Sequence, residues 1–473
     1  MDLANFMMMR SELTLLAVVL ILLIAEIFST KASQSAIINL AVGLFFLHTI
    51  LGFIPSSEGQ LFGGMYQHTS LAEMMKSILN VGVLILFMQS SGWLKKEANK
   101  GKVTEFFILT LSTLIGMFFM ISAGDFLMLY LGLELATIPM AALIAYNLKE
   151  AKSIEAGAKF ILLAALSSGI LLFGISLIYG TSGSIYYADI LGGMQMNMLQ
   201  IVALTFFLSG LAFKISLVPF HFWTADVYEG APTNVAAYLS VISKGAFIFV
   251  LITLLFTVFK EMFNAWEVML YVMAVSTMTL GNLFALRQLN LQRFLAFSSI
   301  AQAGFILLGV ISASHYGMST VVYFILVYVF SNLGAFGVAA IVYNASGKIN
   351  INDYSGFYQT NPKLSLVMLL SLFSLAGIPP IAGFFGKFFL FAAAAEQGYY
   401  WLVIIAVLNT IISLYYYLRV VKAMFLERND NPIETIKSDF LTRAALVFSV
   451  LGFLAVGIFS QVFEWIDLST WGI

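Results

Sequence analysis

FKISLVPFHFWTADVYEGAPTNVAAYLSVISKG, residues 213 to 245, sets two lysines, Lys214 and Lys244, inside segments otherwise as apolar as lipid. A charged side chain at bilayer depth costs roughly 2.5 to 3.5 kcal/mol on insertion scales, so residues of this kind usually line an ion or substrate path. Pro219, five residues after Lys214, removes a backbone donor and either breaks a helix or ends it at the interface.

The rest of the chain supplies the membrane. Of 473 residues, 61% are hydrophobic and 10% charged. A span needs about 20 mostly apolar residues at 1.5 Å rise each. Runs of that kind are centred near positions 20, 45, 84, 115, 136, 169, 208, 246, 276, 303, 331, 380, 412 and 452, which gives 14 transmembrane helices and an all-α polytopic membrane protein. The first run, Leu13 to Phe28, reads as a span and not a secretory signal, because its leader sets Arg10 against Asp2 and Glu12. A net charge of −1, a pI near 6.4 and no dense basic run exclude nucleic acid as a partner. Without cysteine there is no thiolate-held zinc, iron–sulfur cluster or disulfide. Of the four histidines only His48 lies deep in a span, with His68 and His315 in predicted loops, so a haem held by two histidines lacks its pair. No cofactor or metal is expected in this chain.

Cytoplasmic loops carry excess Lys and Arg. Arg10, Lys76 and Lys260 fall on the side of the termini, whereas 17 basic residues fall on the other, among them Lys95, Lys96, Lys100, Lys102, Lys149, Lys152, Arg287, Arg293 and Arg419 to Arg443. Lys214, Lys244 and Lys387 are left in the membrane. Both termini are therefore expected on the non-cytoplasmic side. The same count requires Leu364 to Ala395, with GIPPIAG in its middle, to cross once as a helix broken near Gly377 to Gly383.

Breaks in spans seven and twelve lie five spans apart, an odd offset that makes them antiparallel. This predicts two inverted five-helix repeats, spans four to eight (105–259) and nine to thirteen (266–425), between spans one to three (1–104) and span fourteen (440–463). Broken helices at matching places in inverted halves point to a transport site near the midplane.

Span five adds a carboxylate, Glu134, its only charge between Phe126 and Tyr146. Lys244 stands roughly 16 and 22 Å from the ends of Thr233 to Phe259 at helical rise, too deep to snorkel comfortably. Burial disfavours an ammonium and a nearby carboxylate restores it, so such lysines can gain and lose protons. Sodium instead wants a cage of oxygens. A static Glu134–lysine pair gluing helices is the plainer reading; three lysines and one glutamate on four spans favour proton transport over it. His221 either relays a proton from Lys214 towards Lys244 or bonds unwound backbone. Asp226, Tyr228 and Glu229 are expected to shape the start of span eight. Ser298, Ser299 and Gln302 in span ten either hold water or pack helices.

The stretches PFHFWTADVYEGAPTNVAAYLSVISKGA, GLEL around Glu134, RFLAFSSIAQAGF at 293 to 305, and NDYSGFYQTNPKLSLVMLLSLFSLAGIPPIAGFFGKFFLF at 352 to 391 resemble the antiporter-like membrane subunits of bacterial NADH–quinone oxidoreductase, respiratory complex I. Within them the YEGAPT loop resembles the subunit N family, and the chain shows none of the long lateral helix of subunit L. The resemblance is strong over about 110 to 425. It implies that Glu134 and Lys214 are partners, that Lys244 is the central lysine, and that a proton passes from the cytoplasm to Lys244, across to Lys387 and out, driven by remote quinone reduction. It also implies that NADH, FMN, iron–sulfur clusters and quinone belong to partner subunits, that subunit M and the small membrane subunits are neighbours, and that the location is the bacterial inner membrane. Many members have proline where Ala225 stands and histidine where Gln302 stands, which removes a titrating group from span ten. A sodium/proton antiporter subunit, a ferredoxin-dependent relative and a purely structural membrane subunit are the rival readings.

Overall fold

A computed structural model describes residues 6–28, 34–99, 101–194 and 196–470, so Asp2 and Lys100 lie outside the described residues. Thirteen of its helices are long and apolar enough to cross a membrane. They run Met7–Ile27, Gln34–Gly52, Ser70–Leu94, Val103–Ile121, Phe126–Ile144, Ala151–Ser182, Met198–Ile215, Thr233–Phe256, Lys260–Leu286, Leu291–Ile311, His315–Ser346, Tyr400–Phe425 and Phe440–Ile458. The fourteenth is the expected broken segment, Pro362–Ala376 followed by Ala382–Glu396. Thirteen of the fourteen predicted centres fall in these helices and the one near 380 falls in the break between the two halves; the helices are numbered here as spans 1 to 14, with the broken one as span 12. Lipid offers no partner for backbone amides, so each crossing closes its own hydrogen bonds.

Spans 10 and 11 are buried on every side and form the core of the bundle. Span 6, in contrast, turns Leu162, Leu166 and Phe173 outward. Among the shorter helices, Phe222–Gly230 follows span 7 and Gln461–Thr470 follows span 14, and inside span 8 the chain turns through a π-helical stretch at Leu239–Ser243.

Local structure recurs at matching places. Asp125 caps span 5 and Asn290 caps span 10, each accepting from backbone amides of its first turn. Spans 6 and 11 both have 32 residues and both end at a left-handed glycine, Gly183 (φ 73°) and Gly347 (φ 69°). Three residues beyond each glycine the chain bridges back to the cap, Tyr186 to Asp125 and Asn350 to Asn290.

The two breaks share one motif as well. Span 7 ends at Ile215 with Ser216 left-handed (φ 68°), the Leu217 amide donating to the Ala212 carbonyl at 2.8 Å. The first half of span 12 ends at Ala376 with Gly377 left-handed (φ 86°), the Ile378 amide donating to the Phe373 carbonyl at 3.0 Å. This is the helix stop in which a left-handed residue lets a later amide satisfy an orphan carbonyl. Each break then passes through a cis X–Pro bond, Val218–Pro219 and Pro379–Pro380.

Both breaks lie at depth. Pro219, Phe220 and Phe222 share a groove with Leu163, Leu166 and Ile170 of span 6, residues some 18 to 28 Å along a helix that begins at Ala151. A helix end at the interface, the alternative that Pro219 alone allowed, would meet the first turn of span 6 instead. In span 12 the break divides two halves of 15 residues each.

One basic residue sits differently from its expected place. Lys76, assigned to the side of the termini, lies within span 3 and is buried, pairing with Glu12 of span 1 at 2.5 Å and donating to the Tyr66 hydroxyl at 3.1 Å. Six residues into a helix, its stem is enclosed by spans 1, 3 and 4, and Glu12 makes the burial tolerable.

Candidate functional site

Lys214, Lys244 and Lys387 are 4%, 3% and 3% exposed, so all three amines are held away from solvent and lipid. Each is placed by an irregularity in its helix. Lys214 is in the last turn before the span 7 break, Lys244 directly follows the π-helical turn, and Lys387 lies one turn into the second half of span 12. The Lys387 ammonium reaches back to donate to the Ala376 carbonyl at 3.1 Å, the last residue of the first half. Two of the amines therefore stand at the C-terminal end of a half-helix, where orphan carbonyls and the helix dipole favour positive charge.

Lys214 Nζ donates to the Thr137 hydroxyl at 3.0 Å. Thr137 is three residues beyond Glu134 on span 5, so ammonium and carboxylate share a neighbourhood without an ion pair within 4.0 Å. Glu134 is half-buried on a face with Leu131 and Ile138 exposed, and its Oε1 is enclosed with no hydrogen-bond partner. The direct ion pair that static glue between these helices would require is not formed in this structure.

Lys244 Nζ donates to the Ser299 hydroxyl at 2.7 Å and lies 5.8 Å from the centre of the Tyr228 ring. Ser299 and Gln302, three apart on span 10, share a face. Gln302 Nε2 donates to the Leu375 carbonyl at 3.0 Å and to the Tyr417 hydroxyl at 3.2 Å, while its Oε1 is buried without a partner. Leu375 precedes Ala376, the acceptor of Lys387. Span 10 and the end of the first half of span 12 thus lay a line of polar groups from the second lysine to the third.

A second polar strand runs beside it on span 11. Asn332 Nδ2 donates to Ser240 at 2.6 Å and to Tyr328 at 2.7 Å, and Ser331 shares a 2.6 Å bond with Ser374 of span 12. Sequence reading passed over span 11, because isolated Tyr, Asn and Ser in an apolar run look like packing residues until partners some 40 to 90 positions away are known.

His221 is buried in the span 7 break with its ring 4.5 Å from that of Phe222, and no side-chain bond joins it to Lys214 or Lys244. Asp226 and Glu229 hold the short helix Phe222–Gly230 in place. Both accept from Arg293 Nη1 of span 10, at 2.7 and 2.9 Å, and they also meet Lys159 and Lys152 of span 6. Gln292 finishes the clamp by donating to the carbonyls of Tyr228 at 2.5 Å and Ala231 at 2.9 Å. Tyr228 differs from its neighbours: the same clamp fixes it beneath the Lys244 ammonium.

Fourteen spans, two broken helices and lysines buried at the breaks define an antiporter-like membrane subunit. The family described as "NADH:quinone oxidoreductase/Mrp antiporter, TM" matches residues 123–413. NADH-quinone oxidoreductase subunit N of Phocaeicola vulgatus is 51% identical over 465 residues, 98% of both chains, and that of Azobacteroides pseudotrichonymphae is 47% identical over 477 residues, covering 100% of this chain and 99% of the relative. Among solved structures, a chain of respiratory complex I from Thermus thermophilus with bound Aureothin superposes with a TM-score of 0.81 at 28% identity, covering 96% of this chain and 98% of that one. A chain of the Mrp complex from Dietzia sp. shares the fold, with a TM-score of 0.86 at 20% identity over 99% and 97% of the two chains. The chain belongs to the NADH:quinone oxidoreductase/Mrp antiporter transmembrane family and, within it, to the NADH-quinone oxidoreductase subunit N family.

Proposed function

We propose that this chain moves protons across the bacterial inner membrane as part of an NADH–quinone oxidoreductase, using Glu134, Lys214, Lys244 and Lys387. Partner subunits, among them subunit M and the small membrane subunits, adjoin it, and the redox arm that holds NADH, FMN, iron–sulfur clusters and quinone supplies the free energy. Both termini face away from the cytoplasm, and residues 105–259 and 266–425 are inverted copies. The matched caps, glycine stops and breaks support that repeat.

The observation that carries the reading is the polar line from Lys244 through Ser299, Gln302 and the Leu375–Ala376 carbonyls to Lys387. An amine that is buried favours its neutral form unless a charge nearby restores the ammonium. A rearrangement arriving from a neighbouring subunit brings Glu134 towards Lys214 and stabilises its ammonium. That second positive charge disfavours protonated Lys244, which releases its proton along span 10 towards Lys387. Ser299 can accept from the ammonium and donate onward, and Gln302, with an unpartnered oxygen and no titratable group, holds water in line without trapping the proton. His221 either connects the break to this line through water or braces the backbone there.

Replacing Lys244 by Met in the assembled complex tests the scheme. Coupled pumping is expected to vanish or fall sharply while assembly is unchanged, and a full proton-to-electron ratio in that variant rules the scheme out.

A further inference from the structure

Among the described residues the only π-helical turn is Leu239–Ser243 in span 8, and Lys244 is the residue that follows it. Such a turn takes one residue more than an α-turn, so everything beyond it is rotated by about 100° from where an unbroken α-helix would put it. The rotation falls on the second half of the span. The first half is pinned to span 4, where the Tyr238 hydroxyl shares a 2.7 Å bond with Thr113. Without the extra residue, Lys244 would therefore turn by that angle away from Ser299, to which its ammonium donates at 2.7 Å.

A π-turn is rare, and here its neighbours hold it. Asn332 of span 11 uses its side-chain amide on two hydroxyls, donating to Ser240 inside the turn at 2.6 Å and to Tyr328 at 2.7 Å. Ser240 and Tyr328 close the ring with a bond of 3.2 Å. All three residues are buried, so no water competes for these bonds. On span 3, the missing side chain of Gly82 leaves room for the turn: a Cβ there would meet the tip of Ile242. In the proposed second repeat, span 13 takes the place of span 8. It runs from Tyr400 to Phe425 as an unbroken α-helix with no charged residue before Arg419. The π-turn thus accompanies the buried lysine.

We infer that Asn332, through Ser240 and Tyr328, is the positioning residue that holds the π-turn in span 8 and so aims Lys244 at Ser299. The inference rests on the relay reading of Lys244 and adds what gives that amine its direction. Asn332 donates to neither lysine; it acts on proton transfer through the register of span 8. With the ring of bonds broken, the turn is expected to relax to α-helix and carry the amine off the polar line that leads to Lys387.

Asn332→Leu removes both donors while keeping a side chain of similar size. Ser240→Ala removes one hydroxyl and adds no bulk, which keeps the question open to measurement if the leucine variant fails to assemble. Each is placed in the whole complex. Cryo-electron microscopy of the variant complexes reads the course of residues 239–244, and closed vesicles give the proton-to-electron ratio. The expected result is an α-helical span 8 with Lys244 turned away from Ser299, and coupled pumping severalfold lower. An unchanged π-turn with Lys244 still on Ser299, in every variant that assembles, overturns the inference whatever the pumping does. A turned Lys244 in a complex that pumps at the full ratio leaves the aiming by Asn332 in place and removes the relay reading instead.

Discussion

The breaks in spans 7 and 12 have the same backbone and opposite lysines. Shifting residue numbers by 161 superimposes the stops, Ser216 on Gly377 and Pro219 on Pro380, yet brings Lys214 onto Leu375 and Lys387 onto Asp226. In span 7 the amine precedes the break and points to span 5, where Thr137 receives it and Glu134 waits. In span 12 it follows the break and folds back onto the carbonyl of its own first half. The Asp226 that takes its place in span 7 is on the half-exposed rim, paired with Arg293 and Lys159. One half of the molecule therefore carries a half-buried carboxylate near its amine, and the other carries an amine that donates to a backbone carbonyl. On the proposed function, the first receives a signal and the second passes a proton on.

The largest effect that distinguishes them is expected at the lysines. Lys387→Met removes the only amine of the second break, and coupled pumping should fall at least about tenfold, since a positioned proton carrier contributes on that scale or more. Lys214→Met should leave a larger residue of activity, because Lys244 and its path to Lys387 remain. Proton-to-electron ratios in closed vesicles measure both, and equal losses would remove the division of labour between the halves.

Close approach of the two halves of span 12 gives the next test. A Cβ on Gly383 would lie 1.7 Å from the Ser374 carbonyl oxygen, whereas the matching residue in span 7, Phe222, is exposed. Gly383→Ala should reduce the amount of assembled complex on a native gel, and Phe222→Ala should leave it unchanged. Undiminished assembly of Gly383→Ala would mean that the second half of span 12 can shift away from Ser374 to admit the methyl group.

Glu134→Gln and Lys214→Met then sharpen the signal-receiving half. Each alone should lower pumping a few fold, and the double variant should be no worse than the worse single one, because groups acting through one contact are not additive. Independent, multiplying losses would show that Glu134 acts on something other than Lys214.

Much of this was legible before any coordinates. Apolar run length located fourteen segments, the count of basic residues made the twelfth a single crossing, and GIPPIAG announced its own break, because prolines and glycines act locally. The three lysines were legible for the same reason: their surroundings along the chain are apolar. Partnerships across the bundle were not. Glu12 and Lys76 are 64 residues apart and each sits near the end of a span, where charge is ordinary, so nothing in sequence marks them as a buried pair. Tyr228 reads in the sequence as shaping the entry to span 8, and it lies under Lys244 with its helix held by Gln292 and Arg293 from a span 64 positions later.

The smallest expected difference is between the two left-handed residues themselves. A residue with a Cβ pays about 1 to 2 kcal/mol in that conformation, which glycine avoids. Gly377→Ala should therefore lower the stability of the complex by about that amount. Ser216 bears the cost already, and its hydroxyl is buried without a hydrogen-bond partner, a further penalty. Ser216→Gly should accordingly raise the melting temperature. A hydroxyl that costs stability, two residues from Lys214, earns its place only if water or the moving ammonium uses it, so the same variant should lose a modest part of its pumping, about twofold. A more stable complex that pumps at the full ratio would show Ser216 to be only a backbone position, and the two breaks would then be equivalent there.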